Sequence, residues 1–537
     1  MDSSKESKQA AEVQASQTEF LTDAAEANVW EHEMTIMQAA KLFPKAVAWS
    51  LALSATCVMD GYNFHTTSNA YSQPAFQKAY GTLQANGKYA ISAAWQSGLN
   101  NISTIGVLVG LYFAGFLSDR YGFRKTLMIA MVSIPPLVFM QFFAPNLAVL
   151  IIAQLLMSIP LGVLETTTLA YAAEVAPMCL RPFLTSFVSQ MWVVGQTLCT
   201  VVYRACLDAE APWAYRIPYA IQWLWPIPAV VALLFAPESP WWFVRHHRLD
   251  EAKKSLARLS SAEAANFNID KTVALMVLTT EHERIINSST TWMACFKGPD
   301  LRRTILVIAL YCSQIIGGST LRSYATYFFE QAGLADDWSY NMSIIVYMLS
   351  LAGTIVLWFV LPYVGRRTLF IWSLAVLTVI YIVMGGLGIP QGASKSSLSW
   401  GIAALLVVNG FICYVGVIPI VFILGTEIPS ALLRSKTLAI GRIIYSIINT
   451  PMSILGTYQV SSTAWNWGAK SSFFWGGLCF LGLVCSYWSI PETKDRTFTE
   501  IDQLFEKRVS ARRFQETKFE AAGVTLEAEK GTGNSIV

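Results

Sequence analysis

Long apolar runs separated by short polar turns order this chain. Windows of about 20 apolar residues, the length that crosses a bilayer core as a helix, fall at 46–66, 96–117, 126–143, 147–171, 183–205, 217–235, 304–328, 342–362, 368–388, 400–424, 438–458 and 472–490. These predict twelve spans. The turn that shows their logic is Leu111 to Met131, LYFAGFLSDRYGFRKTLMIAM. Asp119, Arg120, Arg124 and Lys125 would all demand water or partners inside a core, so the stretch reads as a tight hairpin at a membrane face. Gly115 and Gly122 there are expected to permit close helix approach and a sharp turn. Between the sixth and seventh spans lies a polar stretch, 243–302, with amphipathic helical patterns at Asp250–Leu259 and Ile269–Ile286.

The pattern repeats in the same order in both halves. GFLSDRYGFRK (115–125) after the second span answers to YVGRRTLF (363–370) after the eighth. YAAEVAPMCLR (171–181) answers to GTEIPSALLR (425–434), and the Glu-to-Arg interval is seven residues in both, Glu174 to Arg181 and Glu427 to Arg434. PESPWWFVRHHR (237–248) answers to PETKDRTFTE (491–500). A duplicated six-helix unit is the expectation: an all-α membrane protein whose twelve transmembrane helices form two pseudo-symmetric six-helix bundles. The predicted organisation is a tail at 1–45, a first bundle at 46–235, a linker at 236–303, a second bundle at 304–490 and a tail at 491–537.

Charge sets the orientation. Arg120, Arg124, Lys125, Arg181, Arg366, Arg367, Arg434 and Lys436 share a side with both tails and the linker, and the loops opposite show no basic excess. By the positive-inside bias the tails are cytosolic. The polar N-terminal stretch lacks the basic-then-apolar order of a cleavable signal, so the first span is expected to direct insertion. Asn341 opens the eighth span at the outer face within an Asn-x-Ser sequon, a plausible glycan site.

Composition narrows the class further. The chain is 54% hydrophobic with a mean hydropathy of +0.43, and 14% of it is charged, against about 25% in soluble domains. A net charge of +3, scattered over loops, gives no nucleic-acid footprint. The nine cysteines lack CxxC or CxxH spacing, so neither a disulfide framework nor a metal site is expected. The chain carries no Walker, HExxH or GxSxG motif, so neither an enzyme nor a cofactor is expected. Ionisable residues inside a span are functional candidates by default. Asp60 in the first span and Arg322 in the seventh stand out, at comparable heights where they could pair. Such a pair would hold Asp60 ionised, whereas an isolated Asp60 would suit proton symport. His65, at the outer end of the first span, is a marginal candidate for pH sensing.

These strings, GFLSDRYGFRK, Gly365-Arg366-Arg367, the two Glu-to-Arg pairs, PESPWW and PETK, resemble the major facilitator superfamily and within it the sugar porters. MDGYN (59–63), AYRIPYAIQWLWP (214–226), YATYFFEQAGL (324–334), TEIPSALLRSKT (426–437), WNWGAKSSFFWGGLCF (465–480) and PETKDRTFTEIDQLF (491–505) resemble fungal α-glucoside permeases. The resemblance implies two bundles rocking about a midplane site, with a sugar or sugar-like substrate, protons as a second cargo, the bilayer as surroundings and a monomer as the working unit. It also implies gating by Gly115, Asp119, Arg124, Glu174, Arg181, Glu238, Gly365, Arg366, Arg367, Glu427, Arg434 and Glu492. The expected networks, formed when the cytosolic side is shut and broken when it opens, join Asp119 and Arg124 to Glu427 and Glu492, and Arg366 and Arg367 to Glu174 and Glu238, across the two halves, each pair contributing about 1 kcal/mol.

For chemistry, the resemblance assigns proton coupling to Asp60 and to Arg442, which matches the family's Ala-Arg-Asn arginine. It carries substrate contact onto Asn63, Trp192, Gln196, Gln314, Ser319, Arg322, Tyr324, Phe422 and Asn449, a set of amides, hydroxyls and aromatic faces suited to a pyranose ring. α-Glucoside proton symporters usually read Glu-Gly-Tyr-Asp and Gly-Glu where this chain has Asp60-Gly61-Tyr62-Asn63 and Gly106-Val107. These departures, with Arg322 as a cation for an acidic ligand, favour a second reading: a facilitator or exporter of another hydroxylated small molecule. A third is a sugar sensor that moves nothing.

Overall fold

The computed structural model describes residues 22–514 apart from 28, 32–33, 85–86, 88, 178, 262–266, 290, 362, 390–394, 431–432, 495 and 497. Most of the predicted tails, 1–21 and 515–537, lies outside the described residues. Twelve long helices follow one another as α1 (Pro44–Ala70), α2 (Ala93–Tyr121), α3 (Phe123–Phe142), α4 (Leu147–Val175), α5 (Arg181–Ala205), α6 (Trp213–Phe235), α7 (Gly298–Ser323), α8 (Asp336–Val360), α9 (Arg366–Leu387), α10 (Leu398–Glu427), α11 (Arg434–Val460) and α12 (Ser471–Ser489). Ten are long and apolar enough to cross a bilayer, and α1 joins them when taken with Ile36–Leu42, from which it bends by 89°. The twelfth, α5, misses because Thr185, Ser189, Gln196 and Thr200 draw a polar stripe along it at helical spacing. Such a stripe belongs against protein rather than lipid.

The packing order is duplicated. In the first half α1 packs on α5, α2 on α4 and α3 on α6; in the second α7 packs on α11, α8 on α10 and α9 on α12. The halves meet through α5 with α8 and through α2 with α11, which exchange under the same symmetry. The two predicted amphipathic segments are helices, Leu249–Leu259 and Ile269–Ser289. Ile36–Leu42 and the linker come together at one end: Ser261 N–H donates to the Leu42 carbonyl at 2.8 Å, and Lys271 pairs with Asp23 at 3.3 Å and Glu26 at 2.5 Å. This is the tail-side end below. The far end has an element the apolar pattern did not predict, a short helix Pro74–Tyr80 and a two-stranded ribbon pairing Thr82 with Ala90.

The repeated charged motifs hold each half together at the tail-side end. After α2 the chain turns at Gly122 with φ of 87°, and the Glu238 carboxylate lies where a β-carbon would stand. That carboxylate accepts the N–H groups of Phe123 at 2.9 Å and Arg124 at 3.1 Å, capping α3 with negative charge where free amides point outward. Burial pushes the Glu238 carboxyl up from the usual range, and the N–H groups it accepts oppose that. The second half builds the same joint: Glu492 occupies the β-carbon space of Gly365 and accepts the Arg366 N–H at 2.9 Å. Arg124 donates to the Leu233 and Leu234 carbonyls ending α6, at 2.8 and 2.6 Å, and Arg367 to the Tyr487 carbonyl ending α12, at 2.9 Å. Glu174 binds Arg245 at 2.7 Å and Ser239 at 2.5 Å. Its counterpart Glu427 takes Thr493 at 2.5 Å and Arg366 at 3.8 Å.

Among the described residues the motif charges take partners in their own half rather than across the halves, as expected of a tail-side end that is not shut. Arg124, Glu174, Glu238, Arg366, Arg367, Glu427 and Glu492 all take a partner inside their own half. Asp119 is exposed and makes no side-chain ion pair among the described residues, its carbonyl accepting Trp242 Nε1 at 2.8 Å. Gly115 meets nothing within 4 Å of an added β-carbon, so it is not a point of close approach. Arg181 and Arg434 open α5 and α11 at equivalent places.

Gly122→Ala and Gly365→Ala should therefore each displace a capping carboxylate and lower the unfolding free energy by about 1–3 kcal/mol, while Gly115→Ala should cost nothing. Melting temperatures of the three purified variants in detergent check this, and a Gly115→Ala loss equal to the others would contradict it.

Candidate functional site

The far end is shut by contacts between the halves. Asn69 of α1 accepts the Thr326 hydroxyl at 2.9 Å through its side chain and Tyr340 of α8 at 2.8 Å through its carbonyl. Asn100 of α2 donates to Tyr324, which shares a hydrogen with Thr457 at 2.8 Å. Thr463 accepts the Ala93 N–H at 2.9 Å, and Arg204 pairs with Asp337 at 3.3 Å while donating to Asn341, also at 3.3 Å. Stacked rings close the gaps between them, Tyr71 on Tyr324 and Tyr203 on Tyr340. Tyr324, expected on the substrate, is thus part of this seal. With the tail-side charges paired within their own halves, these contacts join the halves at the far end, and the motif charges so paired take no part in joining them at the tail side.

Across the junction, between the midplane and the tail-side end, one ion pair ties the halves. Arg442 of α11 binds Glu165 of α4 at 2.6 Å, and both side chains stay more than a third exposed. Asp60 lies within electrostatic reach of both and against the Trp192 side chain, and is itself buried. Asp60 and Arg442, both assigned to coupling, thus share one neighbourhood, with no direct ion pair between them among the described residues. Glu165 was not anticipated. Its signal was in plain view, one carboxylate in the middle of the apolar run 147–171, where an ionisable group is costly.

Asp60 does not meet Arg322. Arg322 is buried in the second half, where its guanidinium donates to the Gly317 carbonyl at 2.9 Å and to Asn409 at 3.2 Å and lies over the Tyr414 ring. The reason is local: α7 passes through a π-turn at Ile315–Ser319 with Gly318 at φ 89°, which frees the Gly317 carbonyl to receive the cation. A guanidinium held this way is withdrawn from a substrate, which corrects its assignment as a ligand contact.

Asn63 is corrected too. Its amide donates to Gln222 at 2.9 Å, Gln222 to Gln141 at 3.4 Å, Gln141 to Gln154 at 2.7 Å and Gln154 back to Asn63 at 2.9 Å. The four amides form a closed, buried ring joining α1, α3, α4 and α6. Each amide donates once and accepts once within the ring, which holds it among the helices rather than presenting it to a ligand.

Other assigned residues keep free groups. The side chains of Gln196 on α5, Gln314 on α7 and Asn449 on α11 make no hydrogen bond among the described residues. Ser319 lies in the π-turn. Trp192 is half-buried and packs on Phe64 and His65, and Phe422 sits edge-on to Tyr311, a neighbour of Arg442. His65 is enclosed, with neither ring nitrogen hydrogen-bonded.

Known proteins share this chain's sequence and architecture. The model of the family described as sugar (and other) transporters matches residues 49–505. The chain belongs to that family. Among its curated relatives, a general α-glucoside permease of Saccharomyces cerevisiae is 38% identical over 506 residues, covering 93% of this chain and 82% of the relative. The maltose permease MAL31 of the same species is 37% identical over 519 residues, 95% of this chain and 84% of that one. The fold is that of the xylose transporter XylE from E. coli in a partially occluded inward-open conformation, with a TM-score of 0.69 at 18% identity over 84% of this chain and all of that one. Membership in a sugar transporter family makes the chain an integral membrane transporter of the major facilitator fold and not an enzyme.

Two classes of polar residue in this transporter should separate on mutation. Asn63→Asp removes the donor to Gln222 and should lower stability by about 1–3 kcal/mol. Gln196→Ala and Gln314→Ala should leave melting unchanged and weaken sugar affinity. Thermal melts beside substrate titrations test the division, and an Asn63→Asp protein as stable as the parent would contradict it.

Proposed function

We propose that this chain carries an α-glucoside or related oligosaccharide into the cell by alternating access, together with a proton, as a monomer in the plasma membrane with both tails cytosolic. Support for the substrate class is the 36–38% identity to α-glucoside and maltose permeases over more than nine-tenths of the chain. The uncommitted amides of Gln196, Gln314 and Asn449 and the Trp192 ring add to it, since polyols need amides for hydroxyls and an aromatic face for the ring's apolar side. The observation that carries the coupling is the group of Asp60, Glu165 and Arg442 at the junction of the halves. Two carboxylates beside one guanidinium leave one negative charge over inside the bilayer, and one proton brings the group to neutrality.

Gating follows from the same geometry. The tail-side clusters, self-contained while the far end is shut, exchange partners across the halves when the far end opens. Arg124 and Arg366 are then free to meet the opposite half's glutamates.

The test is uptake of radiolabelled maltose into vesicles holding the purified protein, with and without an imposed proton gradient. An inward gradient should drive accumulation several-fold above equilibrium, and Asp60→Asn should equilibrate maltose without concentrating it. Equal uptake with and without the gradient overturns coupling and leaves an uncoupled facilitator. No maltose movement, with uptake of a sugar acid instead, overturns the substrate class.

A further inference from the structure

Glu165 has no role in the function as proposed so far beyond its charge. Its place in the molecule gives it one. It stands about 15 Å from the tail-side end of α4 at Val175, and Arg442 about 12 Å from the tail-side end of α11 at Arg434, at 1.5 Å per helical residue. Their 2.6 Å contact thus joins the halves on the tail side of the sealed far end, within reach of water, since both side chains are more than a third exposed. It is a direct ion pair between the halves, whereas the motif charges at the tail-side end pair within their own halves. The charged and titratable groups around it are few: Asp60 and Cys57 from α1, Tyr311 and Cys312 from α7, and Tyr445 beside Arg442 on α11. Arg442 is the cation that both carboxylates share.

We propose that Glu165 is a positioning residue for proton coupling: it and Asp60 compete for Arg442, and its hold on Arg442 latches the tail-side mouth of the cavity. While a proton sits on Asp60, the guanidinium belongs to Glu165 and α4 stays tied to α11. When that proton leaves to tail-side water, the Asp60 carboxylate draws Arg442 towards α1, the tie between α4 and α11 loosens, and the mouth widens. No covalent bond changes other than O–H on Asp60, which forms with a proton from the far side and breaks towards the tail side. Neither carboxylate alone would link the proton to the mouth. The inference rests on the proton-coupled reading above.

Spin labels on the tail-side ends of α4 and α11 of the full-length protein in lipid nanodiscs read the mouth directly, without a substrate. In the parent the distance distribution should shift towards wide separations as pH rises. Asp60→Asn should keep it narrow at every pH. Glu165→Gln should keep it wide at every pH, and Glu165→Asp, which restores the charge, should recover the pH response. Gel filtration and melting of each labelled variant establish that it is folded. If Glu165→Gln follows the parent's pH response, or if Asp60→Asn is wide as well, the latch is overturned while the proton reading stands. A parent whose distances ignore pH overturns the latch, and maltose uptake then decides the proton reading by itself.

Discussion

A polar group inside a bilayer has no water to fall back on, and the helices of this protein are arranged so that the costliest groups in their interior find partners within the chain. Three devices meet that demand. Four amides close on one another in the first half, a guanidinium folds back onto a broken helix in the second, and a carboxylate–guanidinium pair bridges the two. The charged turns at the tail-side end follow the same rule at the membrane face, with each glutamate seated on the start of a helix through a glycine that leaves room for it. Because these needs are met inside each half, the halves can part at that end without stranding a charge.

The division of labour within the cavity is as informative as its contents. Amides that are hydrogen-bonded to one another hold helices in register, and the uncommitted amides are those that the proposed function assigns to a sugar's hydroxyls. Residue type alone does not distinguish them: Asn63 and Asn449 are the same side chain in different circumstances. A departure from the α-glucoside pattern such as Asn63 therefore carries a structural reason of its own, since an aspartate there could accept from Gln154 but not donate to Gln222.

The architecture was legible in the sequence because hydrophobic length and repeated motifs are local signals. Span positions, the duplication and the two linker helices all follow from periodicity and from strings such as PESPWW and PETK. Partner choice was not legible. Glu238 and Glu492 turn back to Gly122 and Gly365, contacts across more than a hundred residues that no spacing reveals. Arg322 and Asp60 were expected at comparable heights, but Arg322 lies next to the last residue of α7, and the π-turn at Gly318 places it against α10. Glu165 was visible as a lone carboxylate in an apolar run, and its significance needed the position of Arg442 to emerge.

The buried polar knot of the first half is made of neutral amides, whereas that of the second contains Arg322, a fixed positive charge. Two bodies built on one plan are therefore electrically unequal. A transmembrane voltage does work on a displaced charge, about 2.3 kcal/mol per elementary charge per 100 mV for a full crossing, and none on a ring of amides. A movement of the second half that carried Arg322 through the field would feel the membrane potential in proportion to the share of the field crossed, and the amide knot of the first half would be blind to it.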